Sequence, residues 1–561
     1  MITVAQRLQF EDVFPNEKKE DVVYYINKVS KETLLRTIGF CNTNPTTNFD
    51  NFFTNPVLQD DIFEKVIRYS KKNNVKEKPI LISKYASLKL AEHILSNQKD
   101  FLEEPISIDE DELNLFKAFL VINTELNNNQ KFDNLNSDNF ENLVDLTLTF
   151  KFPESDLALF SNDGVEFLKL IYATIYKVDE LFKFLNSKDD FVELKIEFLK
   201  SFNTESEEEF TKQMKFLFGK LLESKTTENY TFEVDDDTAL KFLKSMTSEN
   251  IKIDEDFTVL KNNPIYFLDE KLFSTVNYFF AVDKFYRSTK FKLKEIYESK
   301  EPLKRKYGNF FGFFNKNFSE DFLMKNLLDD IFHKKYFVKK PDTEKELDGE
   351  PDYYLRYEKN IFLFENKDVL VSKSLKSSGN IDDINSLLES KFVKDGKKSV
   401  GIGQIINSIQ EIQDKKFRFD EAVNSDKKFT IYPILLIQDR IFQSPGVNYR
   451  LNDWYRSMAK EKLGTNYDKN YIKGLTVIDI DTLIFWAPYL KQKDRHFKEI
   501  LIDHLKRMET HKKIYASTEQ EALYRSNKNL IEQLSSISTR QIPFRVSTED
   551  FVQKFKEVIV D

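Results

Sequence analysis

The sequence predicts a multidomain α+β protein, with a large all-helical N-terminal region at residues 1–300 and an α/β region at residues 301–561. Three observations carry this expectation. At 561 residues the chain is too long for one compact core, and two or three domains are expected. Up to about residue 300, apolar residues recur at three- and four-residue spacing, the period of an amphipathic helix. After about residue 310 the spacing changes to two, and one apolar run is nearly continuous, as in a strand buried on both faces.

The helical half is clearest in LISKYASLKLAEHIL (81–95), VEFLKLIYATIYKVDELFKFL (165–185) and DDFVELKIEFLKSF (189–202), separated by breaks such as NTNPTTNFDN (42–51). No fixed repeat period runs through it, and it offers no catalytic constellation. In the second half, NFSEDFLMKNLLDDIFHKK (317–335) reads as an amphipathic helix that Ser319 could cap. KYFVKK suggests a short strand, and PDTEKELDGE (341–350) a turn-rich connection. PDYYLRYE and IFLFENKDVLV read as two strands joined by a tight turn near Lys359-Asn360. A polar insertion (372–399) follows, then a helix after the glycines of SVGIGQIINSIQEIQ, then the apolar strand FTIYPILLIQD (429–439). The order is α-β-β-β-α-β, and LTVIDI (475–480) is a further expected strand.

Composition narrows the function. Charged residues are 32% and hydrophobic residues 40%, the balance of a packed chain rather than a disordered one. The single cysteine, Cys41, excludes an intramolecular disulfide and a cysteine-based zinc site, and a buried small residue is its expected role. The start of the chain lacks a basic segment followed by an apolar one, and no run of about 18 apolar residues exists, so a cytoplasmic protein with no membrane span is expected. A net charge of −9 argues against coating nucleic acid through overall charge. Local basic clusters, such as KFYRSTKFKLK (284–294) and KQKDRHFK (491–498), leave room for one polyanion-facing surface in the second half.

The hairpin carries the chemistry. In its second strand, alternation puts Ile361, Leu363, Glu365 and Lys367 on one face and Phe362, Phe364 and Asn366 on the other. Asp352 opens the neighbouring strand, where the hairpin can bring it beside Glu365. Two carboxylates on rigid strands suit Mg²⁺ or Mn²⁺, and an adjacent lysine can orient water or stabilise a phosphate, which are the parts for phosphodiester hydrolysis.

Pro351-Asp352, twelve intervening residues, then Glu365-Asn366-Lys367 resembles the motif of the PD-(D/E)XK nuclease superfamily. The resemblance covers roughly residues 310–440 and implies a restriction-endonuclease-like core. It implies Asp352 and Glu365 as ligands of Mg²⁺ or Mn²⁺, joined by the backbone carbonyl of Asn366 and by Glu320 or Asp321. It further implies Lys367 as the group that positions water or stabilises phosphate, and Gln404, in GIGQIINSIQ, as its support. The implied activity is endonucleolytic cleavage of nucleic acid, DNA before RNA, in prokaryotic defence against phage or plasmids. The helical region would recognise the substrate, a protein partner or an activating signal. The competing reading is a non-enzymatic scaffold or nucleic-acid-binding protein with an inactive nuclease-like fold.

Other candidates carry less. Glu193-Leu194-Lys195, with Asp179 upstream, repeats the motif's spacing but lies within helical periodicity. Gly401-Ile402-Gly403 lacks the third glycine of a dinucleotide site, and its glycines are expected to start a helix packed close to the sheet. The histidines (93, 333, 496, 504 and 511) are expected on the surface. Tyr353, Tyr354 and Tyr357 are the aromatic residues best placed to touch a substrate.

Overall fold

The computed structural model describes residues 7–537 except 44–48, 76–77, 98–100, 130–138, 158–163, 228–230, 249–250, 255, 341–349, 378, 397 and 510–516. The connection at 341–349 and His511 therefore lie outside the described residues. The first 300 residues are helical as expected, with one exception: Thr231–Glu233, Ile265–Asp269 and Leu272–Thr275 form a small antiparallel sheet. Its strands are too short for a period-two pattern to stand out. The longest helix of this half, α1 (Gly164–Asn186), is buried along most of its length.

The second half is built on a five-stranded mixed sheet. A continuous helix, α2, runs through Phe310–Phe313, a π-helical stretch Phe314–Met324 and Lys325–Ile331. Then come β1 (Val338–Lys339), β2 (Tyr353–Tyr357) and β3 (Asn360–Lys367) as an antiparallel meander. After the insertion, α3 (Ile402–Gln413) leads to β4 (Thr430–Ile437), which lies parallel to β3. Helix α4 (Val447–Leu463) leads to β5 (Thr476–Asp479), parallel to β4, and α5 (Ile480–Gln492) follows at once. The sheet order is β5-β4-β3-β2-β1, and the sequence order is the expected α-β-β-β-α-β with β5 added at one edge.

Two details differ from the sequence reading. The hairpin closes one residue earlier than expected, at Glu358-Lys359, with Glu358 at φ 50° and Tyr357 paired to Asn360. Ser319 is not a helix cap. Asn309 does that work, its Oδ1 accepting the Gly312 N–H at 2.8 Å, which leaves Ser319 buried in mid-helix. The π-turns have no separate signature, because the apolar spacing here fits an ordinary helix as well.

The alternation read from β3 is real. Phe362 and Phe364 join a large core that runs from Leu8 through α1 and α2 to Ile537. Ile361 and Leu363 join a second core with Ile402, Ile405 and Ile409 of α3 and with Val144 and Leu148 from the first half of the chain. Both faces of the sheet are therefore covered, and residues from before 300 take part in each cover. No helix among the described residues is long and apolar enough to cross a membrane.

Candidate metal and catalytic site

The site lies where β2 begins and β3 ends. Tyr353 pairs with Phe364, so continuing the register by one residue sets Asp352 opposite Glu365. The Asp352 Oδ2 accepts the Asn366 backbone N–H at 2.7 Å. In a strand the N–H and C=O of one residue leave on the same edge, so the Asn366 carbonyl points toward Asp352 as well. The Asn366 side chain is engaged elsewhere, accepting from Gln438 Nε2 at 2.9 Å.

Glu365 is fully buried. Lys367, two residues on and on the same face, donates to its Oε1 at 2.7 Å, while Glu365 Oε2 is buried without a hydrogen-bond partner. Lys367 Nζ also lies 3.4 Å from Gln404 Oε1, which in turn accepts the Gly401 N–H at 2.9 Å. Gln404 thus stands beside the lysine. Gly401 has φ 51° and would place a Cβ 2.8 Å from the Phe392 carbonyl and 3.2 Å from Lys367 Cε, so the helix start presses against the lysine and only glycine fits.

Of the two open acids, the structure brings Glu320 to the site. It is mostly buried, whereas the Asp321 side chain is half exposed. The wide π-turn sets Lys316 against both, ion-paired to Glu320 and 2.9 Å from Asp321. Burial, with the Asp352 charge beside it, pushes the Glu320 carboxyl up to about 7. Burial also raises Asp352, against the pull of Lys367 and the Asn366 N–H. Glu365 is raised well above the carboxylate range by burial and by Asp352. Burial alone would lower Lys367, but Glu365, Asp352 and Glu320 outweigh it and hold the ammonium form. These shifts have one meaning: three acids and one lysine share a field at the end of the sheet.

The donor set fits a hard divalent cation. The acids are oxygen donors of the kind Mg²⁺ and Mn²⁺ prefer, and one buried oxygen, Glu365 Oε2, has nothing to bond. Among the described residues, however, no three His, Cys, Asp or Glu side chains gather their ligating atoms around one point. The reason is visible in the bonds. Lys316 holds Glu320, Lys367 holds Glu365, and Asp352 is turned onto the Asn366 N–H.

Several expectations are corrected. Tyr353, Tyr354 and Tyr357 are buried, at 5%, 0% and 6% exposure, and two of them donate inward: Tyr353 to Asp329 at 2.9 Å and Tyr354 to Asp420 at 2.7 Å. Tyr353 and Tyr357 pack into the first core and Tyr354 into the second, so none of the three tyrosines is left for a substrate. His504 is buried rather than on the surface, its Nε2 2.8 Å from Asn448 Oδ1. In the basic cluster at 284–294, Lys284 and Lys290 are buried and Arg287 pairs with Asp156 and Asp439. The spaced repeat at Glu193 and Lys195 lies in the helix Val192–Lys200, as its periodicity predicts. Cys41 is buried.

Compared with known proteins, the chain matches no family model, no curated protein and no solved structure.

Proposed function

We propose that this protein is a divalent-cation-dependent nuclease, cutting phosphodiester bonds of nucleic acid, DNA in the first instance. The observation that supports it best is the end of β3, where a fully buried carboxylate with one unpartnered oxygen, Glu365, stands between Asp352 and Lys367. The meander leading into a strand pair at this point agrees with the resemblance to the PD-(D/E)XK superfamily, as does the helix that brings Gln404 to the lysine.

Asp352, Glu365, Glu320 and the Asn366 carbonyl are the groups that would hold Mg²⁺ or Mn²⁺. A bound cation there would polarise the phosphate and lower the pKa of a coordinated water. The protein's own part is positioning. The Asn366 N–H fixes the rotamer of Asp352, and Gln404 with the Gly401 N–H fixes Lys367 from its far side. Lys367, kept cationic by three acids, orients the attacking water or meets the charge that grows on the phosphate oxygens. Lys316 balances Glu320 and lies, partly exposed, at the edge of the site.

The test is incubation with linear, circular and single-stranded DNA and with RNA, in Mg²⁺, Mn²⁺ or EDTA. Cleavage that needs the metal and is lost in both Asp352→Ala and Lys367→Ala supports the reading. Cleavage that persists in both variants would show that the site is elsewhere. A second reading, an inactive nuclease-like fold that binds nucleic acid, is favoured by the absence of a gathered three-acid cluster among the described residues. Binding without cleavage under every metal condition selects it.

A further inference from the structure

Lys367 is the last ladder residue of β3, and the residue after it, Asp368, is held on every side. Asp368 Oδ1 accepts from Lys290 Nζ at 2.6 Å, its Oδ2 from the Ser319 hydroxyl at 2.5 Å, and its carbonyl from Asn315 Nδ2 at 2.7 Å. Lys290 also donates to Asn315 Oδ1 at 3.2 Å, which closes the ring. The two charged members are buried, Asp368 at 9% and Lys290 at 5% exposure. This ring lies outside the groups assigned to the chemistry, yet each contact falls beside one of them. Ser319 precedes Glu320 on α2, and Asp368 follows Lys367 on β3.

Two adjacent faces of this helical stretch serve the two purposes, each with residues four apart. Asn315 and Ser319 turn toward Asp368, while their neighbours Lys316 and Glu320 pair with each other beside Asp352. Without the ring, α2 and the end of β3 would be joined by non-directional packing in the core to which Phe318 and Phe364 both belong. Hydrogen bonds to a buried carboxylate are directional and hold a site to the tolerance that chemistry needs. Lys290 comes from the helix Thr289–Glu298, in the first 300 residues.

We propose that Lys290 and Asp368 are a positioning pair that holds Glu320 on α2 against Asp352, Glu365 and Lys367 at the end of the sheet. The helical region is then a structural part of the cation site and not a separate recognition module. This rests on the reading of the site given above.

The experiment is a calorimetric Mn²⁺ titration of the full chain, with melting temperature and cleavage kinetics recorded in parallel. The variants are Lys290→Gln, Asp368→Asn and Lys290→Arg, with Glu365→Ala as the site control. Lys290→Gln and Asp368→Asn are expected to weaken Mn²⁺ binding by about tenfold or more, as loss of groups that orient metal ligands does. They are also expected to lower kcat with little change in KM, and Lys290→Arg, which keeps the charge, to retain both. If Lys290→Gln fails to fold, Asp368→Asn carries the test, because it preserves shape and can keep the Ser319 and Asn315 contacts. Unchanged Mn²⁺ affinity in the folded variants, with or without a lower melting temperature, overturns the proposal and leaves the nuclease reading standing. If the wild type binds no Mn²⁺, or Glu365→Ala binds it equally well, the site reading fails and the positioning pair falls with it.

Discussion

Glu365 offers one carboxylate oxygen to Lys367 Nζ at 2.7 Å and keeps the other, Oε2, buried with no hydrogen-bond partner. A fully buried acid half satisfied in this way destabilises the fold, and such costs are carried where function requires them.

Separating stability from chemistry at this pair is the first prediction. Glu365→Gln removes the titratable group but keeps an oxygen for Lys367, and because burial already holds Glu365 well above the carboxylate range, it is expected to change the stability of the cation-free protein by no more than about 1 kcal/mol near neutral pH. Lys367→Met takes away the one hydrogen-bonding partner that Glu365 has among the described residues and is expected to lower stability. The double variant should recover that loss and still not cleave. Urea unfolding of the four proteins, set in a double-mutant cycle, measures this; additive effects would mean that the two side chains do not interact.

Gly401→Ala is expected to damage the lysine without touching it chemically. The residue sits at φ 51°, and the added methyl would meet the Phe392 carbonyl at 2.8 Å and Lys367 Cε at 3.2 Å. Backbone strain of about 1–3 kcal/mol follows. A displaced Lys367 should cost about 10²-fold in cleavage, as small misplacements of catalytic groups do. Equal melting and equal turnover in the variant would refute the close approach.

Acid should loosen the α4–β5 junction. Asn448 bonds the Leu475 carbonyl through its amide and accepts from the Val477 N–H and from His504. Burial, with Arg507 nearby, pushes His504 down to about 3. The imidazole therefore stays neutral in the fold but takes a proton in the unfolded chain near pH 6.5. The unfolded state binds more protons below that pH, so stability is complete above about 6.5 and falls with acid, by up to about 1.4 kcal/mol per pH unit from this residue. His93, pushed down to about 4 by burial and by Lys89, adds to the same slope. Denaturation at pH 5 and pH 7.5 of wild type and His504→Gln should show the slope reduced in the variant; an unchanged slope would assign the acid sensitivity elsewhere.

The fragment 301–561 is not expected to fold alone. The Phe362 and Phe364 face of the sheet is covered by the core that includes α1, and the opposite face includes Val144 and Leu148. Buried acids near the ends of the parallel strands find their bases in the first half: Asp368 with Lys290, Asp439 with Arg287, and Asp481 with Lys177. Removing residues 1–300 exposes apolar surface and strands these charges. A cooperative melting transition in the isolated fragment would count against this.

The hairpin and its faces were legible because a strand repeats every two residues, so Glu365 and Lys367 had to share a side and Asp352 had to lie near them. The helix after Gly401 and its close packing were legible from the paired glycines. Glu320 could not be separated from Asp321, since adjacent acids on an outer helical turn look alike until the turn is known to be a π-turn. Ser319 carried the signature of a cap, and only the earlier start of the helix moved it to the middle. The burial of Lys284 and Lys290 was hidden for a different reason. A basic run reads as a solvated face unless its partners are known, and the partner of Lys290, Asp368, is 78 residues away.

Local pattern thus determined the order α-β-β-β-α-β, the side of β3 that bears the acid and the lysine, and the three residues worth testing first. Those are consequences of backbone periodicity, which each segment expresses on its own. The tertiary structure decided which acid on α2 faces the site, which lysines are buried counter-ions, and that both faces of the sheet are covered in part by the first half of the chain. These depend on desolvation and on partners distant in sequence, and neither is set until the whole chain has packed.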